Sequence, residues 1–188
     1  MMQQLYRLPV TICLGGRDYP ICADFRRILQ IIGVLETQQW PEFLRWQVAL
    51  ELFCPGVPDA HRPEAMEKLA DFIRCGAPDT PGPRLLDWQQ DAQVIMSDVN
   101  KAAGRELRQE DFVHWWTFLG WFHAIGQGQL ATLVSIRDKR RRGVKLEPWE
   151  QEYYRQNKLQ VDLPPRLTPQ EQAQRDALNR LLDGQSSN

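Results

Sequence analysis

Three histidines, four cysteines and a row of aspartates are the residues here whose types could do chemistry. His114 and His123 stand nine positions apart. On one helix they point to opposite sides and cannot chelate one metal ion together. His61 has no cysteine or carboxylate at ligand spacing, so no zinc site is expected. Cys13, Cys22, Cys54 and Cys75 lie far apart with no C-x-x-C pair, and read as small apolar fillers rather than disulfide partners. Asp87, Asp91 and Asp98 would share one helix sector, where carboxylates could hold a metal or move a proton. A solvated helix face is the more ordinary reading, with Asp87 favoured by the dipole near the helix start. There is no G-x-S-x-G, P-loop, G-x-G-x-x-G or paired Cys/His signature. The chain therefore reads as non-enzymatic, with no cofactor.

The dense basic cluster is Arg137-Asp138-Lys139-Arg140-Arg141-Arg142, with Lys145 just beyond. Cations at a helix C-terminus complement its carbonyl end, which makes a solvated terminus the simplest reading. A docking patch for an acidic protein partner is the second reading. Nucleic acid is the weakest, because net charge is −1 and no exposed aromatic platform is evident beside the cluster.

The elements that must position these residues are mostly helical. Val10 and Ile12 alternate before Gly15-Gly16, and Tyr19 and Ile21 alternate after it. A glycine pair suits a tight hairpin turn, placing Ile12 opposite Tyr19 and Val10 opposite Ile21. Asp24 can cap a helix carrying Phe25, Ile28, Leu29, Ile32 and Leu35. A second helix starts near Pro41 and carries Phe43, Leu44, Val48, Leu50, Leu52 and Phe53. A third spans about 63–74, with Met66, Leu69, Ala70 and Ile73 on one side. Residues 76–83 form a breaker-rich linker. The spacing predicts a helix over 86–103, with Trp88, Ala92, Ile95, Met96, Val99 and Ala103 within a sector of about 100°. Gly104 stops it.

An aromatic helix is expected to open near Asp111. Three of the seven tryptophans and three of the seven phenylalanines lie within eleven residues, Phe112 to Phe122. Phe112, Trp115, Trp116, Phe118, Leu119, Phe122 and Ile125 would cover about half the circumference. Val113, Thr117, Gly120 and Ala124 form a stripe of small residues that could admit another helix. The run is too short for a bilayer, which needs about 20 apolar residues. It reads as the axis of the core, or as a core helix whose aromatic edge, Trp116 and Trp121, also meets a partner.

Further helices are expected at about 129–141 and from Glu147-Pro148, the latter holding Trp149, Tyr153 and Tyr154. Thr168-Pro169-Gln170-Glu171 is a capping box opening a tail helix, whose apolar edge is Leu178, Leu181 and Leu182. Residues 184–188 read as frayed. The expected architecture is mainly α: a multi-helix globular domain over 1–160 with a small N-terminal β-hairpin. A linker and appended C-terminal amphipathic helix occupy 161–188. A composition of 43% apolar and 25% charged residues is ordinary for a globular chain. Met1–Arg7 lacks the apolar core of a signal peptide, which points to a cytoplasmic protein without a membrane partner.

The order of these blocks resembles one phage family. The hairpin leads into Asp24-Phe25-Arg26, followed by Leu86-Asp87-Trp88-Gln89-Gln90-Asp91-Ala92, His114-Trp115-Trp116-Thr117-Phe118, and Ile136-Arg137 with its basic stretch. This is similar to the bacteriophage "gene product fifteen" family, encoded in the tail cluster of long-tailed siphophages and prophages, over roughly residues 8–158. Asp24, Phe25, Arg26, Asp87, Trp88, Asp91, Ala92, His114, Trp115, Trp116, Phe118 and Arg137 match its pattern. The apolar matches look like fold determinants, and the polar ones could serve fold or surface.

The resemblance implies a tail-assembly chaperone of the host cytoplasm that binds the tape-measure protein, with weak self-association plausible. A structural tail component and a nucleic-acid binder are the alternatives. The candidate partner-binding residues are Arg137, Lys139, Arg140, Arg141, Arg142, Lys145, Trp116 and Trp121.

Overall fold

The computed structural model describes residues 7–78 and 82–185, without the side chains of residues 178, 179 and 181–185. The fold is mainly α with a two-stranded antiparallel hairpin, as expected. The hairpin pairs β1 (Thr11–Leu14) with β2 (Arg17–Pro20), and Ile12 stands opposite Tyr19. Beyond the strands, Ile21 N–H donates to the Val10 carbonyl at 3.0 Å. Gly15 and Gly16 take φ of +55° and +80°, the left-handed pair that a two-residue turn needs. A Cβ at Gly15 would come within 2.3 Å of the His61 ring, so the turn also packs where a side chain has no room. Ile12 and Leu14 are buried, whereas Val10 on the same face is exposed.

Nine α-helices follow among the described residues. They are α1 (Phe25–Glu36), α2 (Glu42–Phe53), α3 (Arg62–Ile73), α4 (Ala92–Ala103), α5 (Trp115–His123), α6 (Gln129–Arg141), α7 (Pro148–Gln156), the single turn α8 (Lys158–Val161) and α9 (Pro169–Gln185). Asp24 caps α1, accepting from Arg26 N–H at 2.9 Å. Phe25, Ile28, Ile31 and Ile32 form its buried edge. Phe43, expected among the apolar residues of α2, is 70% exposed. Thr168 and Glu171 form the expected box at the start of α9, Thr168 N–H donating to the Glu171 carboxylate at 2.8 Å and Glu171 N–H to Thr168 Oγ1 at 3.3 Å. The leucine edge Leu178, Leu181 and Leu182 of this helix lies outside the described side chains. The same is true of residues 1–6, the linker centre at 79–81 and the chain end at 186–188.

Two helices start later than their periodicity indicates. The helix expected from Leu86 begins at Ala92. The Asp87 carboxylate accepts from the backbone N–H of Gln89 and Gln90 at 3.0 and 2.8 Å, and holds 87–91 as a turn. Aspartate offers the backbone an alternative to helix in this way. The aromatic helix begins at Trp115, not near Asp111. Residues before it are extended, because Phe25 N–H donates to Val113 O at 2.9 Å and Trp115 N–H to Ala23 O at 2.8 Å, pairing Asp24 with His114. The small-residue stripe accordingly does not receive a helix. Val113 precedes α5 and is buried, while Gly120 and Ala124 are exposed.

One core runs through the hairpin and α1–α5 and reaches Leu130 of α6. Phe25 and Phe118 stack with centroids 4.6 Å apart near its centre, and Trp115 stacks on Phe118 at 5.6 Å. A smaller cluster of Leu133, Ile136 and Val161 joins α6 to α8. The cysteines do not share one role. Cys54 is buried, Cys22 half-buried, and Cys13 and Cys75 are exposed. The filler reading holds for Cys54 and fails for Cys13 and Cys75.

Candidate functional site

The first block of matched residues ties two helix starts together. Asp24 Oδ2 accepts from Val113 N–H at 3.0 Å and from Arg26 Nη1 at 3.1 Å. Arg26 Nη2 donates to the carbonyls of Leu107, at 3.0 Å, and Glu110. His114 caps α5, its Nδ1 accepting from Trp116 N–H at 3.1 Å. Its Nε2 lies 2.9 Å from the Pro9 carbonyl. A carbonyl only accepts, so Nε2 carries the proton and the imidazole is neutral in this arrangement. The following tryptophans reach back to α3. Trp115 Nε1–H donates to Ile73 O and Trp116 Nε1–H to Phe72 O, each at 2.9 Å. Those carbonyls lie at a helix end, where the backbone needs outside donors.

The second block surrounds Arg137. Its Nη1 and Nη2 meet Asp91 Oδ2 and Oδ1 at 2.6 and 2.8 Å. Nε donates to Val161 O at 2.8 Å, Nη1 to Leu85 O at 2.9 Å and Nη2 to Gln160 O at 2.6 Å. A guanidinium has five N–H donors, and all five are satisfied. Asp91 is fully buried and also accepts from Asp87 N–H at 2.9 Å. Burial works to raise the Asp87 carboxyl, but donors from Gln90, Arg84 and Gln89 outweigh it and hold the group below the usual carboxylate range. Gln90 Nε2 extends the stitching to the carbonyls of Leu159, Gln160 and Asp162 at 3.1, 2.8 and 3.2 Å. Trp88 joins the two blocks, its ring 6.0 Å from Trp115 and 5.1 Å from Phe122.

Asp87, Asp91 and Asp98 are therefore not a solvated face. Asp98 is buried as well, and its Oδ2 accepts from Leu130 N–H at 2.9 Å, capping α6 from another helix. Among the described residues no group of three or more His, Cys, Asp or Glu side chains is placed to hold a metal ion.

Arg137 and Lys139 of the basic cluster brace the interior, while Arg140, Arg141, Arg142 and Lys145 are exposed. Arg137 is buried, contrary to its reading as surface. Lys139 donates to both oxygens of Glu150 at 2.7 and 2.9 Å, and Glu150 is itself buried. Lys139 pulls the Glu150 carboxyl below its usual range against the opposing effect of burial, helped by Glu147 N–H. Arg140 pairs with Asp162 and lies 3.9 Å over the Tyr154 ring. Arg141 and Arg142 share Asp138 at 2.8 and 3.3 Å. Lys145 is exposed, with no ion pair among the described residues. Trp116 and Trp121 are half-buried, and the Arg105 guanidinium sits 5.4 Å over the Trp121 ring.

Other side chains carry the exposed apolar surface: Trp40, Phe43, Phe112 and Trp149, with Leu8, Val10, Val144 and Leu159. Sequence periodicity counted Phe43 and Phe112 toward buried faces, so it could not find them as surface. A cleft of about 510 Å³ lies between α1 and the 84–89 turn, with Leu29, Gly33 and Trp88 among its walls. Pro164 and Pro165 line it too, beside an Arg166–Glu36 ion pair of 2.6 Å.

These residues define a helical domain whose matched polar side chains are spent on each other and on its own backbone. The family described as Bacteriophage Gp15 protein matches residues 5–163, and the chain belongs to it. No curated protein and no solved structure matches the chain. Asp24, Arg26, Asp87, Asp91, His114 and Arg137, the polar residues on which the resemblance rests, each lie in one of the two networks. Among the described residues no helix is long and apolar enough to cross a membrane.

Proposed function

We propose that the chain is a non-enzymatic assistant of phage tail assembly that binds the tape-measure protein in the host cytoplasm. Membership of the phage family is the observation that carries this reading. A tape-measure protein is long, helical and apolar-striped, and needs a cover before the tail tube forms. Exposed aromatic side chains suit that task, because they offer large apolar area at low entropic cost. Trp40, Phe43, Phe112 and Trp149 are the residues we assign to client contact, in place of Arg137, Lys139 and Arg140, whose charges are already paired. Lys145 and the pairs of Arg141 and Arg142 leave a rim of positive charge to steer an acidic segment.

Co-expression with a tape-measure protein from the same phage genome tests the proposal. The expected result is a soluble complex that survives a pull-down. A tape measure that stays equally soluble and unbound defeats it. Recovery of this chain from purified virions would favour the alternative role of a built-in tail component.

A further inference from the structure

Cys22 and Cys54 come from distant parts of the sequence and meet at the foot of α1. Cys22 N–H donates to the carbonyl of Phe53, the residue before Cys54, at 2.7 Å. With standard peptide dimensions, this bond holds the two Cα atoms within about 7 Å of each other. That is the span a disulfide can bridge. Burial pushes the Cys54 thiol up most, and the neighbouring Cys22 and then Glu51 push it further. A cleft of about 280 Å³ with Leu50, Glu51, Val57 and Arg62 in its walls opens beside Cys54, and Cys22 is itself only half-buried. Cys13 and Cys75 stand apart as exposed single thiols.

We propose that Cys22 and Cys54 form a redox pair that closes reversibly into an intramolecular disulfide on meeting an oxidised low-molecular-weight disulfide. Half-buried Cys22 attacks first. Its thiolate takes one sulfur of the small disulfide, forming a mixed disulfide and releasing one small thiolate. The Cys54 thiolate then attacks the Cys22 sulfur, forming the internal bond and releasing the second small thiolate. The small disulfide gains two electrons, and the two protein thiols lose their protons to solvent. The second attack is intramolecular, and proximity offsets the small thiolate fraction of a buried thiol. The closed bond staples the residues just before Asp24 to the end of α2. It restricts the unfolded chain across both α1 and α2 and so stabilises the fold.

The test uses the full chain carrying Cys13→Ser and Cys75→Ser, so that the exposed thiols cannot cross-link molecules. It is incubated with oxidised glutathione, followed by intact mass measurement, non-reducing peptide mapping and thermal melting. The expected result is a monomer lighter by two hydrogens, a Cys22–Cys54 linked peptide, and a midpoint raised by several degrees that dithiothreitol reverses. Adding Cys22→Ser or Cys54→Ser, each checked for folding by circular dichroism, abolishes both the linkage and the shift. Two free thiols remaining, or a stable glutathione adduct at Cys22 without internal closure, overturns the proposal.

Discussion

Asp91 and Arg137, 46 positions apart, form a buried bidentate pair with N···O distances of 2.6 and 2.8 Å. The pair fastens α6 to the turn that precedes α4. The remaining guanidinium donors hold the backbone at Leu85, Gln160 and Val161. Two separate stretches of chain, 85–91 and 160–161, thus converge on one side chain of α6.

Breaking this pair from one side leaves a buried charge without its counter-ion. Arg137→Met is expected to cost about 3–5 kcal/mol in urea unfolding. Asp91→Leu combined with Arg137→Met should recover a good part of that loss, because no buried charge then remains. A single-mutant cost below about 1 kcal/mol would show that the pair does not brace the fold.

How far the chain could be read in advance follows from the kind of interaction involved. Hairpin register, the Asp24 cap and the box at Thr168 depend on local spacing, and spacing is visible in sequence. Asp91 and Arg137 were both visible as matched residues, but their partnership depends on α6 folding back across the chain. Helical periodicity put Asp87, Asp91 and Asp98 on a polar sector and could not show that another helix covers it. The same blindness placed Phe43 with the core and Arg137 on the surface. The later starts of α4 and α5 come from Asp87 capturing local backbone donors and from the pairing of 23–25 with 113–115.

Trp115 and Trp116 each hold a carbonyl of α3 through an indole N–H. Trp115→Phe and Trp116→Phe should each cost about 1 kcal/mol for the lost hydrogen bond. Trp115→Phe should cost more, since Trp115 is buried and also leaves a void. Chemical denaturation of both variants measures the order, and the reverse order would contradict this geometry.

Glu150 ties acid stability to α6 and α7. Its folded carboxyl lies below the ordinary 4.5 because Lys139 donates to it. A depressed carboxylate contributes stability that is present above the unfolded value and is lost as pH falls through the folded one. The contribution should therefore fade as pH drops below about 4.5. Glu150→Gln is expected to be less stable than the parent at neutral pH, with the difference shrinking in acid. Urea titrations at neutral and acid pH check this, and a constant difference would refute it.

Gly128 lies against the carboxylate that caps α6. A Cβ there would stand 2.5 Å from Asp98 Oδ2. Gly128→Ala should push the carboxylate off Leu130 N–H and cost about 1–2 kcal/mol. Asp98→Ala should cost a similar amount, and the double variant little more than Asp98→Ala alone. Additive losses would mean that the two positions do not share one interaction.

In the proposed role, the buried polar networks hold the fold while the exposed aromatics hold the client. Capture of the co-expressed tape-measure protein by the parent chain and by a Phe43→Ser/Trp149→Ser variant tests it most directly. Both replaced side chains are well exposed, at 70% and 59%, so the variant should melt with its parent. The parent should keep the tape measure soluble and bound, and the variant should weaken capture at least tenfold at an unchanged thermal midpoint. Equal capture by both proteins, or none by the parent, would contradict it.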